Sequence, residues 1–119
     1  MKNFFDLDEF FVTDTNIPNT MPLSWQPVIM YNIEQLRGVL NVLRGLLGSP
    51  ITINSAYRNE QINRIVGGDK HSKHLSGLAA DITCRNLHLL LDHCKNLHDS
   101  GILTECIYYP DRNFIHVAI

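Results

Sequence analysis

A carboxylate stands in the middle of a run that otherwise reads as a buried strand, Ala79-Ala80-Asp81-Ile82-Thr83. An isolated charge taken out of water is too costly to persist without a partner. Whatever fold this chain adopts must therefore bring a metal ion or an arginine to Asp81. The stretch just before it supplies candidates: between Ser55 and Asp81 lie Arg58, a Gly67-Gly68 break, His71 and His74. Most of the remaining chain reads as amphipathic helix or apolar strand, and that contrast marks the stretch as a site.

The surrounding elements follow from periodicity. From about Ser24, the residues Ile29, Ile33, Leu36, Leu40, Leu43 and Leu47 recur at steps of three and four, the stripe of a long helix. Gly48-Ser49-Pro50 ends it, because glycine accepts a left-handed cap and proline cannot continue the ladder. Ile51 to Ser55 alternates and is β-branched, so a strand delivers Ser55 to Arg58 to the edge of the site. A short helix follows, with Asn59 as N-cap, Ile62, Ile65 and Val66 inward, and Gly67-Gly68 as the stop. Asn86 to Ser100 is another helix, with Leu87, Leu90, Leu91, Cys94 and Leu97 facing the core and Gly101 as its cap. Its histidines, His88, His93 and His98, read as solvated rather than ligating. Upstream, Phe4, Phe5, Leu7, Phe10 and Phe11 predict a segment that lies across the surface and pins itself by its rings. Thr13 to Pro22 has the composition of a loop.

The C-terminus predicts a hairpin: Glu105 to Tyr109, a turn through Pro110-Asp111-Arg112-Asn113, then Phe114 to Ile119. A four-residue turn sets Tyr109 opposite Phe114, Ile107 opposite His116 and Glu105 opposite Ala118. Ile115 and Val117 then face the core, and His116 faces the cleft beside Glu105. With His74 and Asp81, His116 makes a candidate set of two imidazoles and one carboxylate. Such a set leaves a fourth position on zinc for water, as catalytic sites do. From the hairpin alone, a half-buried histidine satisfied by hydrogen bonds is the favoured reading of His116. The expected fold is α+β, a small antiparallel sheet flanked by helices, in a single domain over residues 1–119.

Charge and cysteine usage narrow the partners. A formal net charge of -2 gives no electrostatic case for nucleic acid or an anionic membrane surface. Cys84, Cys94 and Cys106 form an odd set without CxxC spacing, so reduced thiols are expected rather than a disulfide framework or a thiolate zinc site. Acids break the N-terminal run Met1-Lys2-Asn3-Phe4-Phe5-Asp6-Leu7-Asp8-Glu9, so no signal peptide is expected. No apolar run approaches the roughly 20 residues a membrane span needs.

Ser55-x-Tyr57-Arg58, Gly67-Gly68, Ser72-x-His74-x-x-Gly77-x-Ala79-x-Asp81 and Phe114-Ile115-His116-Val117 together resemble the zinc D-alanyl-D-alanine carboxypeptidase family. That family also contains L-alanyl-D-glutamate endolysins and murein endopeptidases, and shares its fold with the hedgehog signalling domain. The resemblance runs from about Ile51 to Ile119. It implies zinc on His74, Asp81 and His116, a peptidoglycan peptide as substrate, and Arg58 as anchor for a substrate carboxylate or carbonyl. Ser72 is expected to bond substrate or to orient a ligand. Asp69 reads as a turn residue, and His71 as solvent-facing or close to substrate.

The chain departs from the family where a proton acceptor is expected. Several branches carry an acid three residues before the last histidine, where this chain has Asn113, and some carry an aspartate two residues after it, where it has Ala118. Asp111 and Glu105 are the replacements available. Asp111 is preferred because its turn adjoins His116, whereas Glu105 is set diagonally from His116 by roughly 7 to 8 Å. The expected activity is that of a zinc metallopeptidase. Its rival is a module that keeps zinc but has lost its base and only binds peptide or wall. The protein is expected to be a monomer, cytoplasmic in the producing bacterial or phage-infected cell, with action at the cell wall if released.

Overall fold

The computed structural model describes residues 3–119; Met1 and Lys2, the start of the N-terminus expected not to be a signal peptide, lie outside them. Helix α1 spans Gln26–Leu47 and buries the expected stripe, Ile29, Ile33, Leu36, Leu40, Leu43 and Leu47. A proline in its first turn forfeits no helical hydrogen bond, since that N–H would have no partner. Gly48 closes the helix at φ 76°, its N–H bonded to the Arg44 carbonyl at 3.1 Å.

The other elements are β1 (Thr52–Ser55), α2 (Glu60–Ile65), β2 (Ala79–Thr83), α3 (Leu87–Asp99), β3 (Glu105–Tyr109) and β4 (Phe114–Ala118). The four strands form one antiparallel sheet in the order β1-β2-β4-β3. The hairpin has the predicted register, with Tyr109, Ile107 and Glu105 opposite Phe114, His116 and Ala118. Helices α1 and α3 pack on each other and share one core with the sheet, through Leu36, Leu40, Leu90, Cys94, Ile82, Ile115 and Val117. The fold is thus α+β, as expected. The cysteines are free thiols, and burial pushes the Cys94 thiol up to about 12. No helix among the described residues is long and apolar enough to cross a membrane.

Two segments differ from the expectation. The N-terminal rings enter the core rather than lying over it: Phe5 and Phe10 are buried and meet edge to face, centroids 6.3 Å apart. In α2, Ile65 and Val66 are 58% and 50% exposed, while Asn63 is buried beside Ile62. A helix of six residues is too short to express an apolar period, and its inward turn carries a polar tie. Asn63 accepts from Arg58 at 3.2 Å and donates to the Asp69 carbonyl at 2.9 Å.

Sheet register assembles the site. Ser55 lies opposite Asp81, and Asp81 opposite His116, so three neighbouring strands place these residues in one row. An irregularity between Ile53 and Ser55 shifts the β1 register and brings Ser55, not Asn54, opposite the carboxylate.

Candidate metal centre

His74 reaches the row from a short 3-10 turn, Lys73–Ser76. Ser72 caps this turn, its Oγ accepting from the His74 N–H at 3.1 Å, and Gly77 closes it at φ 79°. A Cβ at Gly77 would press on Ile33 and the Ile29 carbonyl, so the turn can sit this close to α1 only with glycine there. His74 and Asp81 are buried and His116 is half-buried. One ligand atom from each lies within 4.8 Å of the others.

The hydrogen-bond pattern shows what this trio can hold. His74 Nδ1 lies 2.6 Å from the Ala56 carbonyl, which can only accept, so that nitrogen carries the N–H. His116 stands between two carboxylates, and the tautomer with its proton on Nε2 donates to Glu105 Oε1 at 2.8 Å and leaves Nδ1 free for a metal. A neutral imidazole has one N–H. With those protons committed, the lone pairs of His74 Nε2 and His116 Nδ1 face Asp81 Oδ1 at 3.2 and 2.9 Å. Three lone-pair atoms at such distances repel unless a cation lies among them. The cation can be a proton on each ring or a divalent ion held by all three. Zinc ligands at about 2.0–2.1 Å around a tetrahedral centre stand roughly 3.3 Å apart, close to the spacing found here. The donor set therefore fits zinc, and each ligand has its orienting partner.

Arg58 supplies the other expected counter-charge. Its Nε donates to Ser55 Oγ at 2.9 Å, one terminal nitrogen to Asn63 Oδ1 at 3.2 Å, and the other to Asp81 Oδ2 at 3.1 Å. Asp81 thus offers Oδ2 to the arginine and Oδ1 to the imidazoles. Burial opposes ionisation of Asp81, but where protons rather than an ion occupy the facing nitrogens, hydrogen bonds from His116 and His74 outweigh it and hold the carboxyl far below the usual range. Burial likewise opposes the charged form of His116, and the bonds to Asp81 and Glu105 outweigh it, so its pKa is raised. For Arg58 burial prevails, and its pKa is lowered despite Asp81.

Among the expected site residues, Arg58, Ser72, His74, Asp81, Glu105 and His116 line one cleft of about 610 Å³, together with His71 and Asp69. Asp111 is exposed in the hairpin turn and is not part of that lining. Glu105, set diagonally from His116 in the register, closes the gap with its own side chain, which reaches the imidazole directly. His88, His93 and His98 lie on α3 and contribute nothing to the cluster.

Several contributors lacked a sequence signal. The Ala56 carbonyl is a backbone group. Asn63 carried no motif, and Gly68 has no room for a Cβ, which would collide with the Asn63 amide. Asn19, in a loop with no visible chemistry, donates to the Tyr57 carbonyl at 2.7 Å and accepts from the Asn59 N–H at 2.9 Å, bracing the backbone on both sides of Arg58.

A comparison with curated proteins gave no match. The family model for Peptidase M15 matches residues 3–118, nearly the whole chain and every residue of the cluster. With that match and a His-Asp-His cluster suited to zinc, the chain belongs to the Peptidase M15 family of metallopeptidases.

Proposed function

We propose that this protein is a zinc metallopeptidase that hydrolyses an amide bond in the stem or cross-link peptides of peptidoglycan, working as one domain over residues 1–119. The observation that carries the reading is the convergence of His74 Nε2 and His116 Nδ1 on Asp81 Oδ1, at 3.2 and 2.9 Å, in the lining of an open cleft, an arrangement that suits a cation. Held by His74, Asp81 and His116, a zinc ion would supply Lewis-acid chemistry, polarising a carbonyl and lowering the pKa of a water toward about 7.

The protein's own residues supply position and proton transfer. Arg58 fixes Asp81, and its uncommitted N–H groups are available to a substrate carbonyl. Glu105 holds the proton of His116 Nε2, which keeps the Nδ1 lone pair directed at Asp81. Its Oε1 meets the far edge of that ring, so proton acceptance falls to Oε2, acting through one intervening water. The Glu105 side chain is 40% exposed and lines the cleft, which supports this role. Asp111 remains the alternative acceptor.

A second reading, a zinc-holding module that binds peptide without cutting it, is favoured by one observation. The position three residues before His116 is Asn113, an uncharged residue held at φ 59° in the turn. Incubating the zinc-loaded protein with defined muropeptides and weighing the products separates the two readings. A product cut at one amide is the expected result. Intact muropeptides that nevertheless bind would establish the module instead.

A further inference from the structure

The hairpin tip carries a cation whose recorded side-chain contact, among the described residues, is an aromatic face. Arg112 lies in the turn between β3 and β4, its guanidinium 5.3 Å from the centroid of the Phe114 ring. Phe114 stacks on Tyr109, its cross-strand partner, with centroids 4.9 Å apart and planes inclined by 26°. All three line the metal cleft, and Arg112 and Phe114 also line the trough that adjoins it beside Val12, Asp14 and Asn54.

The other strong cations of the cleft are already tied to protein acceptors. Arg58 is bound by Ser55, Asn63 and Asp81. Lys73 Nζ donates to Thr104 Oγ1 at 2.7 Å and to the Ile119 carbonyl at 3.1 Å. No side-chain hydrogen bond or ion pair holds the Arg112 guanidinium among the described residues. An aromatic face supports a guanidinium through its plane and leaves the edge N–H groups free, and that edge matches a carboxylate bidentately.

We infer that Arg112 is a specificity-determining residue of the cleft, which receives a free carboxylate of the peptide substrate while the metal centre engages the scissile amide. This rests on the peptidoglycan-peptide reading, since stem peptides carry such carboxylates and their amidation removes them. The role is distinct from that of Arg58, whose fork is partly taken up by Asp81. It predicts discrimination between otherwise identical muropeptides by their charge.

The test compares one muropeptide with free stem carboxylates and the same muropeptide amidated, on the zinc-loaded protein, Arg112→Gln and Arg112→Lys. Dissociation constants come from backbone amide NMR shifts, and KM and kcat are measured wherever turnover occurs. The unsubstituted protein should prefer the carboxylate form by roughly 10-fold. Arg112→Gln should bring that ratio near one, with zinc content unchanged and KM moving more than kcat, and Arg112→Lys should restore part of it. An unchanged ratio in Arg112→Gln, or no preference in the unsubstituted protein, overturns the assignment while leaving the peptidoglycan reading intact. If neither muropeptide binds the unsubstituted protein, the peptidoglycan reading fails, and the assignment with it.

Discussion

Glu105→Gln separates the two roles that Glu105 holds in the proposed mechanism. A glutamine carbonyl still accepts the His116 Nε2 proton, so the ring keeps its orientation, but an amide cannot take up a proton at neutral pH. Zinc content should stay unchanged while kcat falls by about 10² to 10⁴. Glu105→Ala removes the acceptor as well, and zinc affinity should then drop by about 10- to 100-fold, read by competition with a chromophoric chelator. Asp111→Asn, in an exposed turn outside the cleft lining, should change neither; a loss of that size there, with zinc retained, would move the proton acceptor to Asp111. Arg58 is tested on the same scale. Lysine keeps the charge but cannot bond Ser55, Asn63 and Asp81 together, so Arg58→Lys should lower kcat/KM at least about 10-fold and weaken zinc binding. Unchanged zinc affinity would leave Arg58 a substrate contact alone.

Among the elements, the turn carrying His74 has the least tolerance, because Gly77 combines a left-handed φ with close approach to α1. Gly77→Ala should cost about 1–3 kcal/mol for the backbone conformation, and the pressure on Ile33 and the Ile29 carbonyl should displace His74. Urea unfolding and zinc titration together check this, and a variant with full stability and full affinity would show that the turn can relax away from α1. How far each element could be read beforehand depends on whether local pattern or tertiary contact fixes it. The α1 stripe and its Gly48 stop were legible because a 22-residue helix repeats its period many times. The β3-β4 register followed from turn length and alternation, and the need of Asp81 for a counter-charge followed from its apolar neighbours. Ile65 and Val66 misled because α2 has too few turns for its apolar residues to define a face. The partner of His74 was hidden because a backbone carbonyl leaves no trace in residue identity. The reach of Glu105 was hidden because register fixes Cα positions, whereas the contact depends on side-chain length. Phe5 and Phe10 were expected only to pin their segment by packing, because nothing local distinguishes a ring that pins a segment from one that completes a core.

For the molecule as a whole, the proposed metal centre draws its ligands from two strands, β2 and β4, and the His74 turn, so zinc binding and folding stability should be linked and their pH dependence has a definite sign. Without metal, His116 has a raised pKa in the folded state, through Asp81 and Glu105. Its contribution is therefore fully present below the unfolded value of about 6.5 and is lost as pH rises through the folded pKa. Asp81 acts in the opposite sense: its depressed folded pKa gives stability above the unfolded value of about 3.9, lost only in strong acid. The metal-free protein should consequently be more stable near pH 5 than near pH 8. With zinc the order reverses, because His74 and His116 must lose any extra proton before their lone pairs can bind a metal, so protons compete with the ion. Free zinc at 100 times Kd adds about 2.7 kcal/mol of stability, on the order of 10 °C in Tm for a chain of this size. The difference in Tm between zinc-loaded and chelator-treated protein should therefore be small at pH 5 and grow steadily to pH 8. Differential scanning calorimetry across that range measures it directly, and a difference that is constant with pH, or largest in acid, would mean that the imidazoles of His74 and His116 are not what holds the metal.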